Sequence, residues 1–452
     1  EPLSLKSTPE SPTHRRDCLW YSVVLMASFM YFGSNYVYDT PGVLATEIIS
    51  LYGINLFEFN LLYSVYSLPN VFLPFVGGYF IDKLGIRGCS IVFSSIVCIG
   101  QAIFAVSSML PSFPMALAGR FVFGLGSENL VVAASFFTTK WFKNDQIALI
   151  FAISITIARL GSVLNDWTQP IIVSTSGSVA VGLWVGLLVC VACLGVLLIL
   201  CYLDAKRDKA QEVQRDAPDP VRCSDIKFFD RRFWLLAVNC FLLYTCVFPF
   251  NSVANVMLQE RFGLSSQVGG FIMSITFITS ALLSPFIGKW VDTYGHRAQL
   301  IVASSVIITA AHVTFILIPD CYNCYWVVIG FCLLGLGFAI YASVIWPSVP
   351  FTVPERSLGT AFGVVISFQN TGMFIGPLFV GSLIDGTSLE HGYFWVNFTL
   401  AICGVLGFMT GLALWRVDYL FGNSLAIPNP ALKRKRPIVV EDEVHEQTTG
   451  YD

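Results

Sequence analysis

The stretch GGYFIDKLGIR, residues 77–87, returns as IGKWVDTYGHR at residues 287–297. Gly78, Asp82, Gly85 and Arg87 each recur 210 positions later, as Gly288, Asp292, Gly295 and Arg297. Four identities at one offset mark an internal duplication, so the chain is read as two copies of one unit. The echo extends further: Gly124-Leu125-Gly126 in one apolar run is matched by Gly335-Leu336-Gly337 in another, at nearly the same offset.

Composition says what the units are made of. Of 452 residues, 55% are hydrophobic and 12% charged, against roughly 25% charged in an ordinary soluble domain. The mean hydropathy is +0.70. An all-α protein crossing the membrane many times fits this, and the net charge of -3 carries no footprint of nucleic-acid binding. No cleavable signal pattern precedes the first apolar run, so that run is expected to insert as a span. No phosphate loop, metal cluster or nucleophile–base arrangement is visible. The chain is therefore read as a non-enzyme without cofactor or metal. Most of the thirteen Cys lie in apolar runs, where a thiol serves as a small hydrophobe. Cys321 and Cys324, in the loop sequence PDCYNCYW, are the exception and can form a short disulfide in an oxidising compartment.

About 20 apolar residues carry a helix across the ~30 Å hydrocarbon layer. Twelve such segments are predicted, at about 18–38, 57–81, 89–110, 113–138, 146–166, 179–203, 233–258, 266–291, 299–319, 325–350, 360–384 and 394–415. Among the 26 Lys and Arg, Arg120 and Arg159 fall inside spans and Arg261 alone on the far side. The rest share one side, which the positive-inside rule makes cytoplasmic, with both termini there. The predicted organisation is a cytoplasmic tail at 1–17, a six-helix half at 18–203, a cytoplasmic linker at 204–232, a second half at 233–416 and a disordered cytoplasmic tail at 417–452. Lys433 to Arg436 reads as a positive-inside cluster.

A charge near the bilayer centre costs at least about 2.5 kcal/mol and is a functional candidate by default. Arg120, Glu128 and Arg159 qualify. Arg120 and Glu128 share a helix but, eight residues apart, are separated by a rise of about 12 Å and a rotation of about 80°. They cannot pair directly. Glu128 and Arg159, on consecutive spans, differ in predicted depth by about 11 Å. One reading is a buried structural ion pair. The other is a zwitterion site, with carboxylate on guanidinium and ammonium on carboxylate. Two extended residues span about 7 Å and a charge-assisted bond at each end adds about 2.8 Å, so a dipeptide bridges the gap better than a free amino acid. Asp39, in YDTP, is expected at the far mouth, where its charge costs little.

The repeated G-x-x-x-D-[KR]-x-G-x-R loop resembles the signature of the major facilitator superfamily, departing from it at Thr293. Arg120 with Gly124 fits the superfamily's R-x-x-x-G pattern in span four. Within it, YVYDTPG, GRFVFGLGSENL, ARLGSVLN, VFPF, WPSVPFTVPERSLGTAFG and SFQNTG resemble the lysosomal dipeptide transporters. That resemblance implies the twelve-span fold with two pseudo-symmetric halves, and uniport of dipeptides from lumen to cytosol by alternating access. It also implies a lysosomal membrane location and a glycosylated single-span accessory protein as partner, beside the lipid bilayer. Glu128 stands at the family's acidic position in G-x-E-[SN]-L and Arg159 at the Arg of A-R-[IL]-G-S. Tyr244, Trp346, Gln369 and Asn370 are expected to close the pocket. The repeated loops, with Asp82 and Asp292 beside Arg87 and Arg297, are expected to latch the halves at their cytoplasmic ends. EPLSLK lacks the paired leucines of the family's sorting signal, and the one N-x-[ST] sequon, Asn397-Phe398-Thr399, lies close to the membrane. Two other readings stay open: a proton-coupled transporter of another small zwitterion or organic anion, and a transport-inactive scaffold or sensor.

Overall fold

The computed structural model describes residues 18–428 apart from 31, 143–146, 212–225, 227–228, 355–356 and 387–388. The N-terminal tail, most of the linker and the Lys433 to Arg436 cluster lie outside the described residues, as do the surroundings of Gly78 and the side chain of Asp82. The N-terminal half comprises α1 (Cys18–Phe29), α2 (Phe32–Val43), α3 (Ala45–Tyr52), α4 (Leu56–Ser67), α5 (Pro74–Met109), α6 (Phe113–Phe142), α7 (Ile147–Ser176) and α8 (Val179–Gln211). The C-terminal half comprises α9 (Arg231–Phe262), α10 (Ser266–Tyr294), α11 (Arg297–Leu317), α12 (Val328–Ser348), α13 (Leu358–Asp385) and α14 (Leu389–Leu420). Among the described residues, nine helices are each long and apolar enough to span a bilayer, and Ala45–Tyr52 with Leu56–Val71 forms a further, sharply bent pair.

The helices depart from the predicted spans where polar residues continue a helix. The first predicted span ends at 38, whereas α2 runs on to Val43. The fifth ends at 166, whereas α7 runs on to Ser176. Apolar count measures the hydrocarbon stretch, and a helix facing other helices need not stop where its residues turn polar. The second span is broken by a 3-10 turn at Pro69–Val71, and Pro74 opens the helix that follows. Gly85, with φ +70°, then divides α5 into two helices, and its repeat partner Gly295 has φ +77°. Side chains other than glycine rarely tolerate that backbone, which is why both copies of the loop hold glycine there. The expected tail from 417 begins as ordered chain: α14 ends at Leu420, and Asp418 accepts bonds from Ser424 Oγ and Leu425 N, both at 3.1 Å.

Within the first half α5 packs on α6 and α8, and α2 on α7; within the second α11 packs on α12 and α14, and α10 on α12. The halves meet along α7 with α10, α4 with α13, and α2 with α9. Because lipid supplies no hydrophobic drive between helices, close backbone approach and polar bonds matter more. A Cβ at Gly124 would run into the Tyr66 carbonyl, so α6 and α4 can touch there only without a side chain.

Prolines free carbonyls inside this apolar body, and specific donors answer them. Pro41 in α2 leaves the Val37 carbonyl without its helical N–H. Arg120 donates to Val37 O and Tyr38 O, both at 3.4 Å, and to Leu62 O at 3.3 Å. Fully buried and ringed by Tyr38, Tyr63, Tyr66 and Phe123, Arg120 fastens α6 to α2 and α4. Pro285 likewise frees Ala281 O on α10, which accepts from Thr156 Oγ1 on α7 at 3.4 Å. This second answer crosses between the halves.

Candidate functional site

Glu128 and Arg159 project from α6 and α7, half-buried, toward the body of the second half. The Tyr66 hydroxyl, from α4, donates to Glu128 Oε1 at 3.2 Å and to Ser127 Oγ at 3.1 Å. The Arg159 guanidinium sits 4.3 Å from the centre of the Phe338 ring on α12, across the seam between the halves. An Arg held over an aromatic face keeps its planar fork of donors free at its rim. Among the described residues no ion pair joins Glu128 to Arg159.

The second half supplies an aromatic wall. Tyr244 stacks on Phe248 with ring centres 5.5 Å apart, and both meet Phe338 edge-on at 6.0 and 5.5 Å. The Trp346 indole donates to the Tyr244 hydroxyl at 3.2 Å, orienting that phenol. Tyr244 lies within electrostatic reach of both Arg159 and Glu128. Phe248 also touches Tyr38 of α2, at 6.1 Å between ring centres. Of the residues expected to close the pocket, Tyr244 and Trp346 are thus brought together beside the two charges. Gln369 reaches Met373 Sδ at 3.7 Å, and Asn370, fully buried, donates to Ile366 O of its own helix at 3.1 Å. No described bond links either of these to Glu128 or Arg159.

The repeated loops make contacts within each half. Arg87 donates to Asp204 Oδ2 at 2.6 Å and also pairs with Asp208, while Trp141 donates to Asp204 Oδ1 at 2.8 Å. Arg297 lies 4.1 Å from the Phe351 ring centre, donates to Ile427 O at 2.7 Å and is within electrostatic reach of Asp292. Gly288 has open space around it. Cys321 and Cys324 are bonded to each other. Asn397 of the sequon is fully buried, bonded to Tyr393 O at 2.9 Å and to His312 at 3.1 Å, which closes it to glycan attachment in the folded chain.

Two acids occupy places the sequence did not assign them. Asp39 is 7% exposed rather than at an open mouth, because α2 carries it inward against α7, where Ser162 bonds it. Asp166, passed over because it ends the predicted fifth span, is fully buried in α7. No sequence signal separates a helix from a loop in the polar run Asn165-Asp166-Trp167-Thr168-Gln169, which leads into Pro170. Tyr66, Phe248 and Phe338 were likewise unremarkable as ring residues in apolar runs.

Comparison with known proteins places this architecture. Residues 24–269 and 236–439 each match the sequence model of the Major Facilitator Superfamily. The chain is 33% identical to a Bos taurus protein named lysosomal dipeptide transporter MFSD1, covering 93% of this chain and 90% of that one. It is 34% identical to the Homo sapiens protein of the same name, covering 89% and 87%. Among solved structures, nucleoside transporter NupG superposes with a TM-score of 0.68 at 15% identity, over 87% of this chain and 100% of that chain; this likeness speaks to the fold alone.

Proposed function

The chain belongs to the major facilitator superfamily, and from that premise we propose that it carries dipeptides across the lysosomal membrane, from lumen to cytosol, by facilitated uniport. The observation that carries the reading is the pair Glu128 and Arg159: opposite charges, largely but not fully buried, with no ion pair between them among the described residues, facing one aromatic wall. Relatives named as lysosomal dipeptide transporters, similar over nearly the whole chain, support it.

In this reading Glu128 takes the peptide's ammonium and Arg159 its carboxylate, each through a charge-assisted bond. Tyr66 holds the Glu128 carboxylate in place, and Phe338 holds the guanidinium. Tyr244, positioned by Trp346, offers a hydroxyl between the two ends. Side chains of the peptide meet Phe248, Phe338 and the more distant amides of Gln369 and Asn370. Because Glu128 and Arg159 belong to the first half and the wall to the second, bound peptide bridges the two bodies that must rock. The linker end would face the cytosol, and a glycosylated partner would shield the lumenal face of a chain whose one sequon is buried.

Uptake of a labelled dipeptide by proteoliposomes tests this, with counterflow to separate carriage from leak. Glu128→Gln and Arg159→Ala are expected to lower uptake at least a hundredfold in folded, correctly inserted protein. Arg159→Lys should retain part of it, keeping charge without the fork. Wild-type uptake in both neutral variants would remove the site assignment; no dipeptide counterflow in the wild type would remove the function.

A further inference from the structure

Above Arg159 on α7, at the seam with α10, lies a second set of acids that peptide binding does not use. Asp166 follows Arg159 by seven residues, two turns up the same helix face, with Ser162 between them. Ser162 bonds Asp39 of α2, and Asp39 and Asp166 feel each other's charge. Their chain neighbours are tied directly, Asn165 Nδ2 donating to Thr40 Oγ1 at 2.6 Å. Asp166 is fully buried, and neither carboxylate oxygen has a hydrogen-bond partner. The side-chain amide of Asn251 on α9 is buried and unpartnered at both atoms.

These groups sit where the two halves close on each other at the end away from the linker. Ser252 Oγ donates to Asn60 Oδ1 at 2.6 Å, and Asn255 Nδ2 donates to Val43 O. Trp167 Nε1, beside Asp166, donates to Ser274 Oγ at 2.8 Å, and Gln267 Nε2 to Ser174 Oγ at 2.9 Å. Asp385 of α13 accepts from Phe57 N at 2.8 Å and Leu56 N at 3.3 Å, capping the start of α4 beside that helix's own Asn55–Glu58 capping box. Apart from that capping box, each of these bonds joins one half to the other, so the structure is closed at this end.

We infer that Asp39 and Asp166 form a proton-binding site whose occupation locks the gate at the end opposite the linker. The inference rests on the alternating-access reading but not on the identity of the substrate. An ionised carboxylate without donors is far costlier out of water than the neutral acid. Asp166 therefore closes into the seam as the neutral acid, and its ionised form belongs to the open, wetted gate. The groups facing it are few. α2 presents Asp39, itself within reach of Arg159 and Arg120, α4 presents the Tyr63 phenol, and α10 presents no ionisable side chain between Ser266 and Gly288. α6, which also packs on α7, carries Arg120 and Glu128, and α8 carries only Cys and Tyr before Asp204. Among the described residues no cation acts on Asp166 to hold it ionised, Arg159 and Arg120 reaching Asp39 instead.

The sign follows from linkage. The closed gate binds protons more tightly than the open one, so closure is favoured at low pH and lost as pH rises. One proton taken up per closure changes the closed-to-open ratio by at most about tenfold per pH unit, and two by about a hundredfold. Protons reach the pair through the gate itself, so the gate can sense pH without proton flux through the transporter.

Hydrogen–deuterium exchange of the full chain in lipid nanodiscs, corrected for intrinsic rates, reads the gate at residues 160–176 and 266–274. From pH 5 to pH 7.5, wild-type exchange in both segments should rise by up to about tenfold per pH unit. Asp166→Asn, isosteric and uncharged, should stay protected across the range, and Asp39→Asn should flatten the slope in part. Unchanged wild-type protection from pH 5 to 7.5, or full pH dependence surviving in both variants, would overturn the site. Protection at pH 7.5 that requires Na⁺ and vanishes in choline would assign the pocket to a metal cation instead. If the gate loosens with pH while the linker-side ends of α4 and α13 gain no protection, the proton site stands and alternating access fails.

Discussion

Replacing Gly270 by Ala adds one methyl where α10 of one half lies directly against the backbone of α7 of the other. Pro170 frees the Asp166 carbonyl from its helix, and a Cβ at Gly270 would collide with that carbonyl and crowd Val43 Cγ2. The obstacle is backbone, which cannot swing aside as a flexible side chain would. Overpacking of this kind costs about 1–3 kcal/mol. Ala also gains up to about 1 kcal/mol over Gly in helix propensity, but it gains this whether the gate is open or closed. The propensity term cancels from the conformational equilibrium, and the clash does not. The closed-to-open ratio should therefore fall by roughly five- to a hundredfold.

The assay is dipeptide counterflow beside a thermal melt of the same preparation. Turnover should fall by roughly that factor if each cycle passes through the closed gate, while the melting temperature changes little, because the open conformation avoids the clash. Gly124→Ala is the control: its Cβ meets the Tyr66 carbonyl inside one half, where no rocking relieves it, so it should lower stability in every conformation. A Gly270→Ala protein with wild-type turnover, or one that melts as early as Gly124→Ala, would refute the assignment of this seam to a moving gate.

Trp346→Phe removes the donor to Tyr244 and keeps the ring, so a loss of about 1 kcal/mol should raise KM roughly fivefold with kcat kept; steady-state uptake over a concentration series checks it. Arg120→Lys keeps the charge but cannot reach Val37 O, Tyr38 O and Leu62 O together. It should lower the melting temperature and the yield of folded protein, by the equivalent of about 1.5–3 kcal/mol.

The duplication and the apolar runs made the fold legible, because hydropathy and repetition are properties of sequence alone. Gly85 and Gly295 show why the repeated loop could be trusted: both adopt a backbone that few other residues tolerate. Glu128 and Arg159 stood out because a charge among apolar neighbours is conspicuous. Asp166 did not, since it lies where the apolar count runs out, and only packing decides whether such a residue leaves the helix or is sealed within it. Trp346 and Tyr244 could be nominated but not paired, because their bond spans 102 residues of chain. Phe338 was indistinguishable from a lipid-facing ring until Arg159 was seen above it.

Charge balance in the first half connects the peptide site to the gate. Away from their ends, α2, α6 and α7 of this half hold two cations, Arg120 and Arg159, and three carboxyl groups, Asp39, Glu128 and Asp166. Arg120 is committed to carbonyls and rings, and Arg159 reaches Asp39 from a position open to ligand. A dipeptide at the proposed site would neutralise Glu128 and Arg159 as a matched pair and leave the balance unchanged, because a zwitterion brings both signs. The surplus acid at Asp39 and Asp166 must then be met by something that carries only positive charge. A proton does this in the least space. On the proposed site and the inferred gate, loading the peptide and locking the gate are thus separate neutralisations on one face of α7, and the half would rock as a low-charge body only when both are complete.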